Sequence, residues 1–107
     1  MKVIKNLLRP DVFKQMQELV FSNDFPLFYV PTVGSKTDRS DFMFQHMLFY
    51  DNKQNSEHYN HLVSPILGKL DFNFLIRAKL NCYTKKEKFI YTDLHTDFGD
   101  PHYVALF

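Results

Sequence analysis

The stretch DLHTDFGDPHYVALF, Asp93 to Phe107, sets His95 and Asp97 two residues apart. On an extended strand, residues i and i+2 project from the same face. An imidazole nitrogen and a carboxylate oxygen would then lie side by side. Completed by a second His from a distant strand, that donor pair makes the facial site that holds Fe(II) and leaves coordination positions open. The tripeptide by itself weighs little, because a surface His followed by a turn-capping Asp has the same spacing. The remaining histidines are weaker ligands. His102 follows the Gly99-Asp100-Pro101 turn and reads as a turn or surface residue, and His46, inside the apolar run Phe42 to Tyr50, reads as a satisfied core or pocket-edge histidine. His58 and His61 are spaced i, i+3 beside Glu57 and Asn60, the pattern of a wet helix face. A zinc hydrolase site built from His95, Asp97 and His102 would lack helix-borne ligands and a general base.

The elements that must position these residues follow from periodicity. Met1 to Leu8 reads as a short extended start, with Val3-Ile4 and Leu7-Leu8 available for burial. Pro10-Asp11 opens a helix, since Pro and acidic residues suit a first turn. Val12, Phe13, Met16, Leu19 and Val20 then recur at helical spacing until Ser22 to Pro26 ends it. Leu27 to Val33 predicts a strand, with Pro31 at an edge or bulge. Gly34 to Asp41 is a polar loop, Phe42 to Tyr50 a largely buried strand, and Asp51 to Ser56 a second loop supplying Ser56 as an N-cap. From Glu57 to Leu70 the spacing is helical again, and Pro65 should kink or split that helix. Phe74 to Thr84 alternates: Ile76, Ala78, Leu80 and Cys82 face one way, Arg77, Lys79, Asn81 and Tyr83 the other. Thr84 to Lys88 is a charged, solvated loop. Phe89 to Phe98 is a further extended segment, and His102 to Phe107 a last strand after the turn. Helices ahead of a run of strands predict an α+β domain, with helices packed on one face of a mostly antiparallel sheet.

The totals bound what such a domain does. The chain has 107 residues, enough for one domain with a modest core, and the 12 Phe and 6 Tyr suit a strand-rich interior. A net charge of +1 gives no bulk field that would draw the chain to nucleic acid or a membrane. Cys82 is the single cysteine, so there is no internal disulfide framework and a reducing compartment is the default. The N-terminus lacks the apolar core of a signal peptide, and no apolar run approaches the ~20 residues of a membrane span. These features lead to the expectation of a cytoplasmic protein.

The strand LIRAKLNCYT, the charged loop, HTDF and then PHYVALF together resemble the 2-oxoglutarate- and Fe(II)-dependent oxygenases. The likeness is to the small single-domain members related to prolyl 4-hydroxylases that occur in marine phages and bacteria. In those, a strand ending in a Tyr (here Tyr83) leads through a loop to the His-x-Asp (His95-Thr96-Asp97), and an Asp/Asn-Pro-His turn (Asp100-Pro101-His102) leads into an apolar strand. The opening MKVIKNLL, FPLFYV, FMFQHMLFYDN and the helix containing SPILGKL are similar too, so the resemblance spans essentially the whole chain and is most specific from Leu75 to Phe107.

The resemblance implies a double-stranded β-helix (jelly-roll, cupin-like) supported by N-terminal helices. It implies His95 and Asp97 as two of three Fe(II) ligands, Tyr83 as a contact to the co-substrate 2-oxoglutarate, and Asn81 as a further residue of that pocket. Arg77 and Lys79 share the face of Asn81 and are either pocket or rim charges. Dioxygen, ascorbate as a reductant, and a substrate with an oxidisable C–H bond complete the implied set. Two features depart from the family. The loop from Tyr83 to His95 is longer than usual and lacks its Gly. The family's distal His, and the Arg or Lys about ten residues later that pairs with 2-oxoglutarate, lie downstream of the His-x-Asp, whereas the sequence given stops at Phe107. The expectation is therefore an incomplete, inactive N-terminal part of an oxygenase that self-associates through exposed strand edges. The alternative is a non-catalytic binding or assembly module in which His95 and Asp97 are structural.

Overall fold

The computed structural model describes residues 1–32, 42–88 and 97–107. The first helix, α1, spans Pro10–Val20. Its start is held by Pro10 and by Arg9, whose guanidinium reaches both oxygens of Asp11 at 3.1 Å. Its end is closed by the Phe21 N–H on the Gln17 carbonyl and by the Ser22 hydroxyl donating to the Leu19 carbonyl at 2.7 Å. Met16 is buried, and Val12, Leu19 and Val20 pack with it in the core, so the apolar stripe read from the sequence meets the core except at Phe13, which is exposed and touches the Phe107 ring.

Four strands follow: β1 (Phe28–Val30), β2 (Met43–Tyr50), β3 (Lys53–Gln54) and β4 (Ala78–Cys82), all paired antiparallel to β2. Gln45 is flanked by Phe28 and Asn81, and Phe49 by Gln54 and Ala78. The strands β1 and β3 therefore lie one after the other along one edge of β2, with β4 on the other. A bulge between Met47 and Phe49 gives β2 an extra residue opposite Lys79 and Ala78. It turns both Leu48, which is buried, and Phe49, whose ring meets Tyr59 at 5.8 Å, toward the core. The architecture is thus α+β: an N-terminal helix and an open, four-stranded antiparallel sheet.

The helical periodicity after Glu57 resolves into two short helices, α2 (Tyr59–Leu62) and α3 (Ser64–Leu67). Pro65 has no N–H to continue the ladder and sits in the first turn of the second helix, as its chemistry requires. Leu62 and Val63, at the junction, are buried against Met16, Phe25 and Leu48.

Several expectations are corrected. Lys53 and Gln54, taken as loop, form β3, because Asp51 and Asn52 both adopt positive φ (53° and 56°) and close a two-residue hairpin. Ser56 is not the N-cap of α2. That position is His58, and the Ser56 hydroxyl instead accepts the His58 N–H at 3.1 Å in a turn just before the helix. His102 to Phe107 is not a strand. No described strand offers this run a ladder, and an unpaired strand has no stability of its own; Tyr103 and Leu106 are fully exposed. Of the start, Leu8 packs on the core, whereas Val3 and Ile4 remain exposed. The polar loop before β2 and the extended segment from Phe89 fall wholly or mostly outside the described residues.

Candidate functional site

Alternation along β4 sends Ala78 and Leu80 to the core and sends Lys79 and Asn81, with Arg77 and Tyr83 just beyond the strand ends, to the opposite face. Across the ladder this face continues through Gln45, opposite Asn81, and Met47, opposite Lys79. The surface carries two cations, two amides and a phenol.

Asp97 is drawn to this face. The Arg77 guanidinium contacts its carboxylate at 3.1 Å, with side-chain exposures of 19% and 32%. The same guanidinium lies over the Phe98 ring at 4.8 Å, a cation–π contact. Phe98 in turn meets the His102 ring edge-on at 5.1 Å. His102 closes the turn beneath by donating from Nδ1 to the Asp100 carbonyl at 2.8 Å, so it serves the turn as its sequence context suggests. Asp97, Arg77, Phe98 and His102 thus form one stack that docks residues 97–102 beside the start of β4.

Burial lowers the pKa of the Lys79 ammonium, Arg77 lowers it further, and the Asp97 carboxylate partly opposes both. The Asn81 amide nitrogen donates to the Tyr83 hydroxyl at 3.3 Å, while its Oδ1 is buried with no hydrogen-bond partner among the described residues. Reversing the amide would let Tyr83 donate to Oδ1 and leave the amide N–H unmet instead. In either orientation one polar atom of Asn81 has no partner among the described residues, and a buried amide left unpaired costs about 1–3 kcal/mol.

Of the two residues expected to ligate iron, Asp97 is therefore on the polar face of β4, and His95 lies outside the described residues. Tyr83 and Asn81, expected to contact 2-oxoglutarate, are neighbours joined by a hydrogen bond. Among the described residues no group of three or more His, Cys, Asp or Glu side chains could hold a metal ion. The donor set on β4 suits a small anion better: positive charge from Arg77 and Lys79, and hydrogen-bonding groups on Asn81 and Tyr83.

A second constellation centres on His46, which pairs with Leu80 on the core face of β4; sequence reasoning foresaw a satisfied histidine there but not its partner. His46 is only 5% exposed. Its Nδ1 meets the Pro26 carbonyl at 2.7 Å and its Nε2 meets the Ser56 hydroxyl at 2.6 Å. The Phe25 ring lies 4.9 Å from the imidazole and 5.0 Å from that of His58. An open cleft of about 440 Å³, lined among others by Phe28, Val30, Asn55, Ser56 and His58, reaches this pair. No helix among the described residues is long and apolar enough to cross a membrane. Compared with known families, curated proteins and solved structures, the chain matches none of them.

Proposed function

We propose that the chain carries part of an Fe(II)- and 2-oxoglutarate-dependent hydroxylase site, with the open antiparallel sheet being part of a jelly-roll. The observation that carries this reading is the polar face of β4, where Arg77 holds Asp97 at 3.1 Å beside an unmet Asn81 amide. His95 and Asp97 would hold the metal, and Tyr83 and Asn81 would contact 2-oxoglutarate. Bound Fe(II) would supply a centre with open positions where dioxygen and 2-oxoglutarate react, coupling oxidative decarboxylation to hydroxylation of a C–H bond. The chain's own residues bind and orient. Arg77 fixes the Asp97 carboxylate, Lys79 offers a further cation beside the pair, and Phe98 stacks on the guanidinium.

Neither His46, bonded through both ring nitrogens on the other face, nor His102, tied to its own turn, is set to add a third ligand. The reading therefore expects weak metal binding and little succinate release from these 107 residues with Fe(II), 2-oxoglutarate and ascorbate. Titration with Mn(II), a spin-active ion that takes the same oxygen and nitrogen donors, tests the half-site. Binding should weaken by about tenfold or more in His95→Ala and in Asp97→Ala, as removal of a ligand or its support does. Mn(II) binding unchanged by both substitutions would overturn the reading.

The Arg77–Asp97 pair also supports the alternative, an assembly module in which Asp97 simply docks residues 97–102 on β4. In that case Asp97→Asn loosens the docking, and neither Mn(II) nor 2-oxoglutarate restores it.

A further inference from the structure

The His46–Ser56 pair has no part in the hydroxylase reading, and its hydrogen bonds fix more than a packing role needs. The Pro26 carbonyl can only accept, so His46 Nδ1 must carry a hydrogen and donate to it at 2.7 Å. In the neutral imidazole, Nε2 is then left as a lone pair, and it faces Ser56 Oγ at 2.6 Å. The hydroxyl hydrogen therefore points at a base whose tautomer and orientation are set from behind. The Phe25 ring packs against the imidazole at 4.9 Å, tilted by 38°.

Ser56 has its own fixed surroundings. One lone pair of Oγ takes the His58 backbone N–H at 3.1 Å. A hydroxyl has two lone pairs, so one remains for attack. The Asn55 N–H on the Leu48 carbonyl at 3.0 Å pins the chain immediately before Ser56 to the bulged end of β2. The base is almost wholly buried, whereas Ser56 lines the open cleft, where Phe28 and Val30 offer an apolar wall and Glu57 and the His58 ring a polar one. A shielded base, an oriented hydroxyl and an accessible cleft form the arrangement by which serine is activated toward acyl groups.

We propose that Ser56 is an activated nucleophile and that the cleft is an acyl-accepting site for small esters, with His46 as its general base. Ser56 Oγ adds to the ester carbonyl while its proton passes to His46 Nε2. The carbonyl–alkoxy bond then breaks, and the leaving alkoxide takes that proton from the imidazolium and departs as the alcohol. The product is an O-acyl ester on Ser56. Water, deprotonated by His46, attacks that ester in turn. Carboxylic acid leaves, and Oγ recovers its proton. Pro26 offers a dipole and not a carboxylate, so it orients the imidazole without balancing the positive charge that forms on it. Both steps pass through that imidazolium, and an activated ester with a good leaving group speeds only the first, so with such an ester the acyl form should accumulate. His46 itself pairs with Leu80, on the core face of β4, whereas the cleft wall runs on to Gln45 and Met47, which lie opposite Asn81 and Lys79, so the cleft borders the polar face.

The test is 4-nitrophenyl acetate added to the full chain, read by nitrophenolate release and by mass mapping. The expected result is a burst of about one equivalent, with the acetyl group mapped to Ser56. Ser56→Ala should abolish the burst while retaining the wild-type circular dichroism, and His46→Gln should slow it by about 10²-fold or more. Because His46 is buried and its replacement could unfold the domain, wild-type chain unfolded in urea is the second comparison, and Ser56 labelling should vanish there. Acetylation spread over lysines and unchanged in Ser56→Ala would overturn the proposal. So would absence of acetyl on Ser56, or labelling of Ser56 no faster folded than unfolded.

Discussion

Arg77 and Asp97 act on Lys79 with opposite signs, and their effects have a definite direction in both pH and mutation. Burial, then the neighbouring guanidinium, pull the Lys79 pKa below the ordinary lysine value of 10.5, and the Asp97 carboxylate pushes it back up. Between the lowered folded pKa and 10.5 the unfolded chain binds more protons than the folded one. Stability therefore rises with pH across that window, and below it the half-buried ammonium carries its full penalty. Asp97→Asn removes the one opposing charge. It should lower the Lys79 pKa further, move the window to lower pH and reduce stability below it. Lys79→Met removes the charge and should flatten the alkaline slope. Titration of the Lys79 side chain by NMR, with urea unfolding below and within the window, checks both. A Lys79 pKa unmoved by Asp97→Asn would show that Asp97 is not held on this face in solution.

The β2–β3 hairpin tests how far a short element depends on its turn residues. Asp51 and Asn52 both occupy the left-handed region, the conformation a two-residue turn of type I′ demands. Asn tolerates it better than most side chains, but Gly meets no Cβ penalty there. Asn52→Gly should therefore stabilise the domain by about 0.5–1 kcal/mol, and Asn52→Val should destabilise it by about 1 kcal/mol or more, since β-branched residues resist positive φ. Urea midpoints give both numbers, and a destabilised Asn52→Gly would contradict this turn geometry. The hairpin also marks the boundary of what the sequence makes legible. The stripe of α1, the split at Pro65 and the two faces of β4 follow from periodicity and proline chemistry alone, because each is a local property. Lys53 and Gln54 are polar and exposed, so they carry no strand signal, and their state follows from the turn before them. Tyr103 to Phe107 shows the reverse, an apolar run without a ladder. The site divides similarly. Strand parity placed Arg77, Lys79, Asn81 and Tyr83 together, whereas the contact of Arg77 with Asp97 depends on the chain's return path. The His46–Ser56 pair joins residues ten apart across a hairpin and a bulge, and one ring nitrogen is held by a carbonyl from a third segment. No spacing rule encodes it.

Across the whole molecule, the exposed area exceeds what a folded monomer of this size should show. Folded monomers of 12.8 kDa expose about 6,300 Å² by surface scaling, against 9216 Å² here. The radius of gyration, 15.0 Å, likewise exceeds the roughly 13 Å of a compact domain of this length. The core is correspondingly thin: no large side chain among the described residues is fully buried. The excess is larger than the ~1,200–2,000 Å² that a standard protein interface buries in total. Part of it is aromatic and contiguous. Tyr29, 62% exposed, meets Phe42 at 5.7 Å and Phe44 at 6.1 Å on one side of the β1–β2 ladder. The outer edge of β4 also has no partner among the described strands, and an edge without one is a template for pairing. Apolar burial and strand pairing both reward association, and with a net charge of +1 long-range repulsion opposes neither. Sedimentation equilibrium should show concentration-dependent dimers or larger assemblies at micromolar chain. Tyr29→Lys, which puts a charge into the aromatic patch, should shift them toward monomer by about tenfold in dissociation constant, the equivalent of ~1.4 kcal/mol. Association should also persist in high salt, because a contact made by rings and backbone hydrogen bonds is not screened as surface ion pairs are. A monodisperse monomer throughout the micromolar range would mean that the exposed rings are tolerated without a partner.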